Sequence, residues 1–342
     1  MNFLFTIAAA LILVIPQWTL QKSNVTERLR GVSAVSDRVV WASGSNSTVL
    51  RTEDGGATWK RLTVTSDKVD FRDIDAINER TAYVLAIGNG DASRIYKTND
   101  AGATWTLQFR NTEAQAFYDA MSFWDANHGI VIGDSIAGQF CILITDNGGS
   151  TWKRIPHEAL PAALPNEGAF AASGTNIAVW GKSHAWIGTG GAAQSRILRT
   201  SDRGRTWQIT DAPLKAGASA GIFSIAFRDA RHGMIVGGDY TKEGEATDNL
   251  AITNDGGATW TLQKGLSGYR SVVAYVRGSG KRPGTWVAIG PSGTDYSVDD
   301  GVTWQRVDGP GFDTLSFVRS PRLDAVGWAA GNSGAIGKLT MK

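Results

Sequence analysis

One octapeptide pattern recurs six times along the chain, and no other feature constrains its fold as tightly. TEDGGATW stands at 52–59, TNDAGATW at 98–105, TDNGGSTW at 145–152, TSDRGRTW at 200–207, TNDGGATW at 253–260 and SVDDGVTW at 297–304. The tryptophans Trp59, Trp105, Trp152, Trp207, Trp260 and Trp304 are 44 to 55 residues apart. A repeat of that period means one supersecondary unit copied in series. Each box reads as a tight turn between two strands. Asp54, Asp100, Asp202, Asp255 and Asp299 accept backbone N–H groups of the turn. Asn147 replaces the aspartate in the third copy and offers its carbonyl oxygen instead. The glycine supplies positive φ, the threonine leads back into a strand, and the tryptophan buries a large face against the neighbouring unit.

Three apolar runs precede each box and one follows it. In the second unit they are DIDAI (73–77), TAYVLAIG (81–88), RIYKT (94–98) and, after the box, WTLQF (105–109). Four short strands make a propeller blade. A seventh unit at the C-terminus has three runs, FDTLSFV (312–318), AVGWAAG (325–331) and AIGKLTM (335–341), and no box. QWTLQK at 17–22 repeats the letters that follow the boxes at 104–109 and 259–264. The expected architecture is therefore all-β: a seven-bladed β-propeller of four-stranded antiparallel blades over residues 17–342. The N-terminal strand closes the last blade, which hides two sheet edges.

Composition agrees. Thirteen tryptophans and 41 glycines suit a Gly/aromatic pattern used many times, and 19% charged residues suit a packed domain. A formal charge of +2 without Lys/Arg blocks argues against nucleic-acid binding. Residues 1–16 read as a secretory leader. The apolar run at 3–15 is short for a membrane span, although no Lys or Arg precedes it and no A-x-A site follows. The leader implies export to the periplasm or beyond, with an uncleaved anchor as the alternative. The single cysteine, Cys141, lies in FCILIT and reads as a buried inert thiol.

The boxes resemble those of the Asp-box, or BNR-repeat, propellers, which include sialidases, xyloglucanases and photosystem II assembly and stability factors. FYDAMSFWDANHGIVIGD (117–134), AFAASGT (169–175), AWIGTGG (185–191), GIFSIAFRDARHGMIVGGDY (221–240) and GPSGTD (290–295) are most similar to bacterial relatives of the last group, some of which are called oxidoreductases. The resemblance spans residues 17–342. It implies a seven-bladed propeller, and a role as a monomeric, non-catalytic scaffold that binds a protein client or a polar ligand such as a glycan. Fold alone does not decide activity.

In a propeller the boxes, between strands three and four, lie on one rim. The starts of the first strands and the loops between strands two and three lie on the other, around the channel. The boxes are therefore structural, and a site belongs on the channel face. Candidate binding residues there are Arg30, Arg72, Asp119, Asp134, Glu167, Arg196, Asp239, Asn249, Arg270 and Asp313. Asp73, Tyr118, Phe223, Arg94, Asp295 and the glycines at 190–191 map to the same positions. Arg30, Arg72 and Arg270 suit a carboxylate or phosphate clamp. Paired carboxylates, with Asp119 and Asp313 foremost, would suit glycoside hydrolysis, the alternative function.

Other motifs weigh less. A sialidase uses an arginine triad, but FRDI (71–74) lacks that family's Phe-Arg-Ile-Pro form. A xyloglucanase has two propellers in a longer chain. GTGGAA (188–193) matches a dinucleotide glycine motif but runs into a strand rather than a helix. GASAG (217–221) matches a nucleophile elbow but also enters a strand. His128, His184 and His232 occupy one repeat position, in DANH, GKSH and DARH, on separate blades away from the channel face. They do not converge as metal ligands must, and the Asp-Gly turns lack calcium-loop spacing. No metal and no cofactor is expected.

Overall fold

The computed structural model describes residues 15–278, 284–318 and 326–341. The leader expected at 1–16 lies outside the described residues up to residue 14. After β1 (Pro16–Gln21), blade 1 comprises β2 (Leu29–Ala34), β3 (Val40–Gly44), β4 (Thr48–Thr52) and β5 (Lys60–Leu62). Blade 2 comprises β6 (Asp70–Ala76), β7 (Ala82–Ile87), β8 (Arg94–Thr98) and β9 (Thr106–Arg110). Blade 3 comprises β10 (Tyr118–Phe123), β11 (Gly129–Ile136), β12 (Gln139–Thr145) and β13 (Lys153–Arg154). Blade 4 comprises β14 (Ile177–Trp180), β15 (His184–Gly188), β16 (Ser195–Thr200) and β17 (Gln208–Ala212). Blade 5 comprises β18 (Ala220–Phe227), β19 (Gly233–Asp239), β20 (Leu250–Thr253) and β21 (Thr261–Leu262). Blade 6 comprises β22 (Val272–Val276), β23 (Thr285–Gly290), β24 (Gly293–Ser297) and β25 (Gln305–Val307). Blade 7 comprises β26 (Thr314–Phe317), β27 (Val326–Ala330), β28 (Ile336–Met341) and, on its outer edge, β1.

The closing pair runs antiparallel from Pro16 opposite Met341 to Gln21 opposite Ile336. Trp18 tilts against Phe312 at 4.7 Å and donates through Nε1 to Thr294 Oγ1 of blade 6 at 3.2 Å. It thus does for blade 7 what the box tryptophans do elsewhere. Trp59 meets Trp328 of the preceding blade edge-on at 5.9 Å, and Trp105 meets Trp41 at 6.1 Å.

The apolar core is divided among the seams between blades. Seven clusters of buried residues lie one at each junction of neighbouring blades. Inner-strand side chains add polar cross-links. Ser33 accepts Ala76 N–H at 3.0 Å, Asp75 accepts Phe123 N–H at 3.2 Å, Ser224 accepts Val273 N–H at 2.9 Å, and Ser316 accepts Ala34 N–H at 3.1 Å. Each bond joins one blade to the next in the ring and satisfies a buried donor.

The boxes share one hydrogen-bond scheme. Asp54 Oδ1 accepts Thr52 Oγ1–H at 2.8 Å and Thr58 N–H at 2.9 Å, and its Oδ2 accepts Thr58 Oγ1–H at 2.6 Å. Asn147 keeps the first two bonds, at 3.0 and 2.9 Å, and reverses the third by donating from Nδ2 to Thr151 Oγ1 at 2.9 Å. A Cβ at Gly56 (φ 90°) would meet Trp328 of the adjoining blade at 2.7 Å, so the turn also needs glycine for close approach. The residue before that glycine is left-handed as well, and it is not always glycine: Ala101, Arg203 and Asp300 have φ between 62° and 65°. The sequence reading assigned positive φ to the glycine alone.

Two outcomes are expected. Removing residues 17–24 lowers the melting temperature of the whole domain, and Trp18→Ala costs about 2 kcal/mol by denaturant unfolding, since its half-buried ring fills the last seam. An unchanged melt would refute closure by β1. Ala101→Gly, which relieves a left-handed alanine, raises stability by about 1 kcal/mol in the same assay.

Candidate binding site on the channel face

Four inner strands carry a register shift at the residue that faces the channel. In β2, β6, β10 and β18 the pairing skips Arg30, Arg72, Asp119 and Phe223 respectively. Such a bulge leaves one residue unpaired and re-aims its side chain. On the partner strands, a Cβ at Gly44, Gly133 or Gly237 would lie 1.9–2.2 Å from a carbonyl oxygen of the bulged strand's entry. The recurrent glycine at the end of the second strand was the available signal for these bulges, and the sequence reading did not use it.

The four side chains line a cavity of about 700 Å³ with walls of different chemistry. Blades 1 and 2 contribute Arg28, Arg30 and Arg72, and blade 3 contributes Asp119 and Asp134. Blades 5 and 6 contribute an aromatic wall together with Phe170 from the entry to blade 4. Phe223 stacks on Phe170 at 4.1 Å with rings 7° apart, and Tyr269 meets Phe223 edge-on at 4.8 Å. Tyr240 meets both phenylalanines edge-on and is 48% exposed. Of these rings only Phe223 was singled out from sequence.

The cavity floor is the protein's own backbone. The stretch 168–173, ahead of β14, reaches across the ring. Arg30 Nε donates to Ala172 O at 2.7 Å and its Nη2 to Ala171 O at 3.4 Å, and Arg72 Nη1 donates to Ala171 O at 2.9 Å. Asp134 Oδ1 accepts Ala169 N–H at 3.2 Å. Ser173 donates to Ser271 O at 2.9 Å, and Thr314 donates to Ser173 O at 3.1 Å. Side chains and carbonyls from blades 1, 2, 3, 6 and 7 thus hold a segment that belongs to blade 4.

The remaining candidates are placed differently from one another. Asp313 lines the cavity but accepts both arms of the Arg28 guanidinium, at 2.8 Å each. Arg72 also pairs with Asp70 at 2.9 Å. Arg30 is half-buried with carbonyls for partners and, among the described residues, no carboxylate in ion-pair contact; burial, then Arg72 and Arg28, outweigh Asp313 and pull its pKa down to about 10. Arg270 does not reach the cavity. It is 0% exposed and paired with Asp295 at 2.6 Å, so the clamp of three arginines is not assembled. Arg28 stands beside Arg30 and Arg72 instead. Glu167 and Arg196 form a buried ion pair, with Thr189 donating to Glu167 at 2.6 Å, and they anchor the long loop into blade 4. Asp239 accepts Thr241 N–H at 3.0 Å, and buried Asn249 donates to Gly268 O at 2.6 Å. Arg94 pairs with Asp67 and Asp91. These groups support loops and do not line the cavity.

Two carboxyls on the blade 3 wall are perturbed. Burial, reinforced by Asp134, raises Asp119 well above the usual range, and its Oδ2 has no partner among the described residues. Burial pushes Asp134 up to about 6. Asp73, deeper in the ring, is raised by burial and accepts Met121 N–H at 2.7 Å.

No protein-family model matches this sequence, and no curated protein matches it. Solved structures do. YCF48 bound to a D1 peptide is similar at TM-score 0.64 and 16% identity, over 97% of this chain and 97% of that one. YCF48 from Cyanidioschyzon merolae gives 0.58 and 17%, over 94% and 98%. An ancestral GH74 enzyme gives 0.65 and 14%, over 93% of this chain and 46% of the enzyme, so this chain spans less than half of that protein. At these identities the likeness shows the fold alone, a β-propeller.

Proposed function

We propose that the protein is an exported, non-catalytic propeller whose channel face binds a protein client or another polar ligand, as a scaffold resembling the photosystem II assembly and stability factors. The observation that carries this reading is the floor of the cavity. Arg30 and Arg72 already grip successive carbonyls of the turn at 171–172, beside an aromatic wall. A surface that holds its own chain this way suits a second peptide segment laid across the same mouth. The D1 peptide carried by YCF48 is in keeping with a protein client. Nothing in this sequence implies photosynthesis, and the reading does not require a photosynthetic client.

Glycoside hydrolysis is the second reading, favoured by the raised carboxyls Asp119 and Asp134 and by the GH74 neighbour. Against it, Asp313 is occupied by Arg28, while Asp119 and Asp134 both come from blade 3 rather than from walls that flank a bond.

Crosslinked pull-down from the native envelope separates the readings. A defined partner held by the wild type and reduced about tenfold in both Arg30→Gln/Arg72→Gln and Tyr240→Ala supports the scaffold. No partner, together with glycosidase turnover that Asp119→Asn abolishes, overturns it. Arg270 is left intact because its loss would strand Asp295 in the interior.

Asp119→Asn also has a signed pH dependence. A carboxyl whose folded-state pKa is raised keeps its proton in the native protein after the unfolded chain has lost it, near pH 4. Stability therefore falls as pH rises from about 4 towards the folded value. For Asp134 this window closes at about 6, and for Asp119 it extends upward. Asp119→Asn is expected to raise the melting temperature at pH 7 and to match the wild type at pH 4.

A further inference from the structure

The repeat supplies internal controls, and two positions depart from it in one crevice on the box face, between blades 4 and 5. In blades 3 and 5 the turn after the first strand reads D-x-x-H. Asp125 holds His128 Nδ1 at 2.8 Å, and Asp229 holds His232 Nδ1 at 2.9 Å. In blade 4 the same turn has Gly181 three residues before His184. Both ring nitrogens of His184 are buried and have no partner among the described residues.

The second position is the cation across from the second-strand aromatic. Trp41 faces Arg51, Tyr83 faces Lys97 and Trp328 faces Lys338. Arg51 bonds Glu53 and Glu79 O, Lys97 bonds Gly148 O at 2.8 Å, and Lys338 bonds Gly55 O at 3.4 Å. The last two reach the box of the next blade. In blade 4 Trp186 faces Arg199, and Trp186 Nε1 donates to the box carbonyl, Gly256 O, at 2.8 Å, as Tyr83 Oη donates to Gly148 O at 2.7 Å beside Lys97 in blade 2. Among the described residues Arg199 has no side-chain hydrogen bond or ion pair, and its Nε is buried.

The two orphaned groups share a face. His184 and Trp186 are two apart on β15, Arg199 is opposite Trp186, and Gln208 is opposite Arg199. Together with Ser201 and Thr206 they line a crevice of about 220 Å³. Asp255 lines it too. Its carboxylate is taken up by its own turn, with Oδ1 accepting Thr253, Ala258 and Thr259 donors and Oδ2 accepting Thr259 Oγ1–H.

We propose that this crevice is a binding site for a small oxyanion: a phosphate, sulfate or carboxylate group. Arg199 supplies the charge and a fork of donors, and the His184 ring supplies an N–H. A buried guanidinium Nε and a buried imidazole in one crevice, both without partners, are costly unless an acceptor satisfies them. An oxyanion is the group whose geometry matches the guanidinium fork. The site is separate from the channel face and does not depend on what binds there.

The test uses the full chain, with imidazole ¹⁵N–¹H spectra recorded during titration with inorganic phosphate, sulfate or acetate at constant ionic strength. His184 is expected to shift saturably, while His128 and His232, held by their aspartates, stay in place. Arg199→Gln should weaken the response about tenfold or more. It should also remove any rise in melting temperature with phosphate. His184→Asn, monitored by the melting shift, serves if the arginine variant does not fold. A response to phosphate and sulfate but not acetate assigns the site to tetrahedral anions, and an equal response to acetate assigns it to carboxylates. No saturable shift of His184 with any of the three, or equal affinity in Arg199→Gln, overturns the proposal.

Discussion

The pairing of β1 with β28 is the contact on which the rest of the molecule depends. No blade has a core of its own, because its apolar residues lie in clusters shared with the neighbours on either side. The ring is therefore as secure as its last seam. Six residue pairs, from Pro16–Met341 to Gln21–Ile336, close it, and Trp18 completes the cluster between blades 6 and 7. Backbone bonds worth about 1 kcal/mol each gain leverage here, since opening this pair exposes two sheet edges and a seam together.

A closed ring leaves a channel, and this chain fills it with itself. The stretch 168–173 is tied to five other blades through carbonyls, amides and hydroxyls. Arg30 and Arg72 grip its carbonyls, Asp134 holds one of its amides, and the stacked Phe170 and Phe223 form an apolar wall beside them. The cavity above is thereby preorganised, with a cationic wall from blades 1 and 2, carboxyls from blade 3 and rings from blades 5 and 6. Preorganisation of this kind reduces the entropy lost when a ligand docks.

Repetition also makes exceptions readable. Asn147 shows what the box requires, because an amide preserves two of the three bonds and reverses the third. Gly181 and Arg199 are exceptions of another kind. Each leaves a polar group without the partner that its counterparts have, and both fall in one crevice.

The seven-bladed architecture, the closing strand and the structural role of the boxes were legible in the sequence. Turn chemistry and strand alternation are local, and six copies in register reinforce one another. Arg30, Arg72, Asp119, Asp134 and Asp313 line one cavity, because propeller topology fixes which end of a strand faces the channel. Their partners were not legible. That Arg270 is buried on Asp295, that Arg28 occupies Asp313, and that Arg30 faces carbonyls of a segment about 140 residues away depend on contacts between blades that no local pattern encodes. Sequence determined which blades exist and where their ends point. Tertiary packing alone decided which charges are neutralised and which remain available, because pairing is set by distances across the ring.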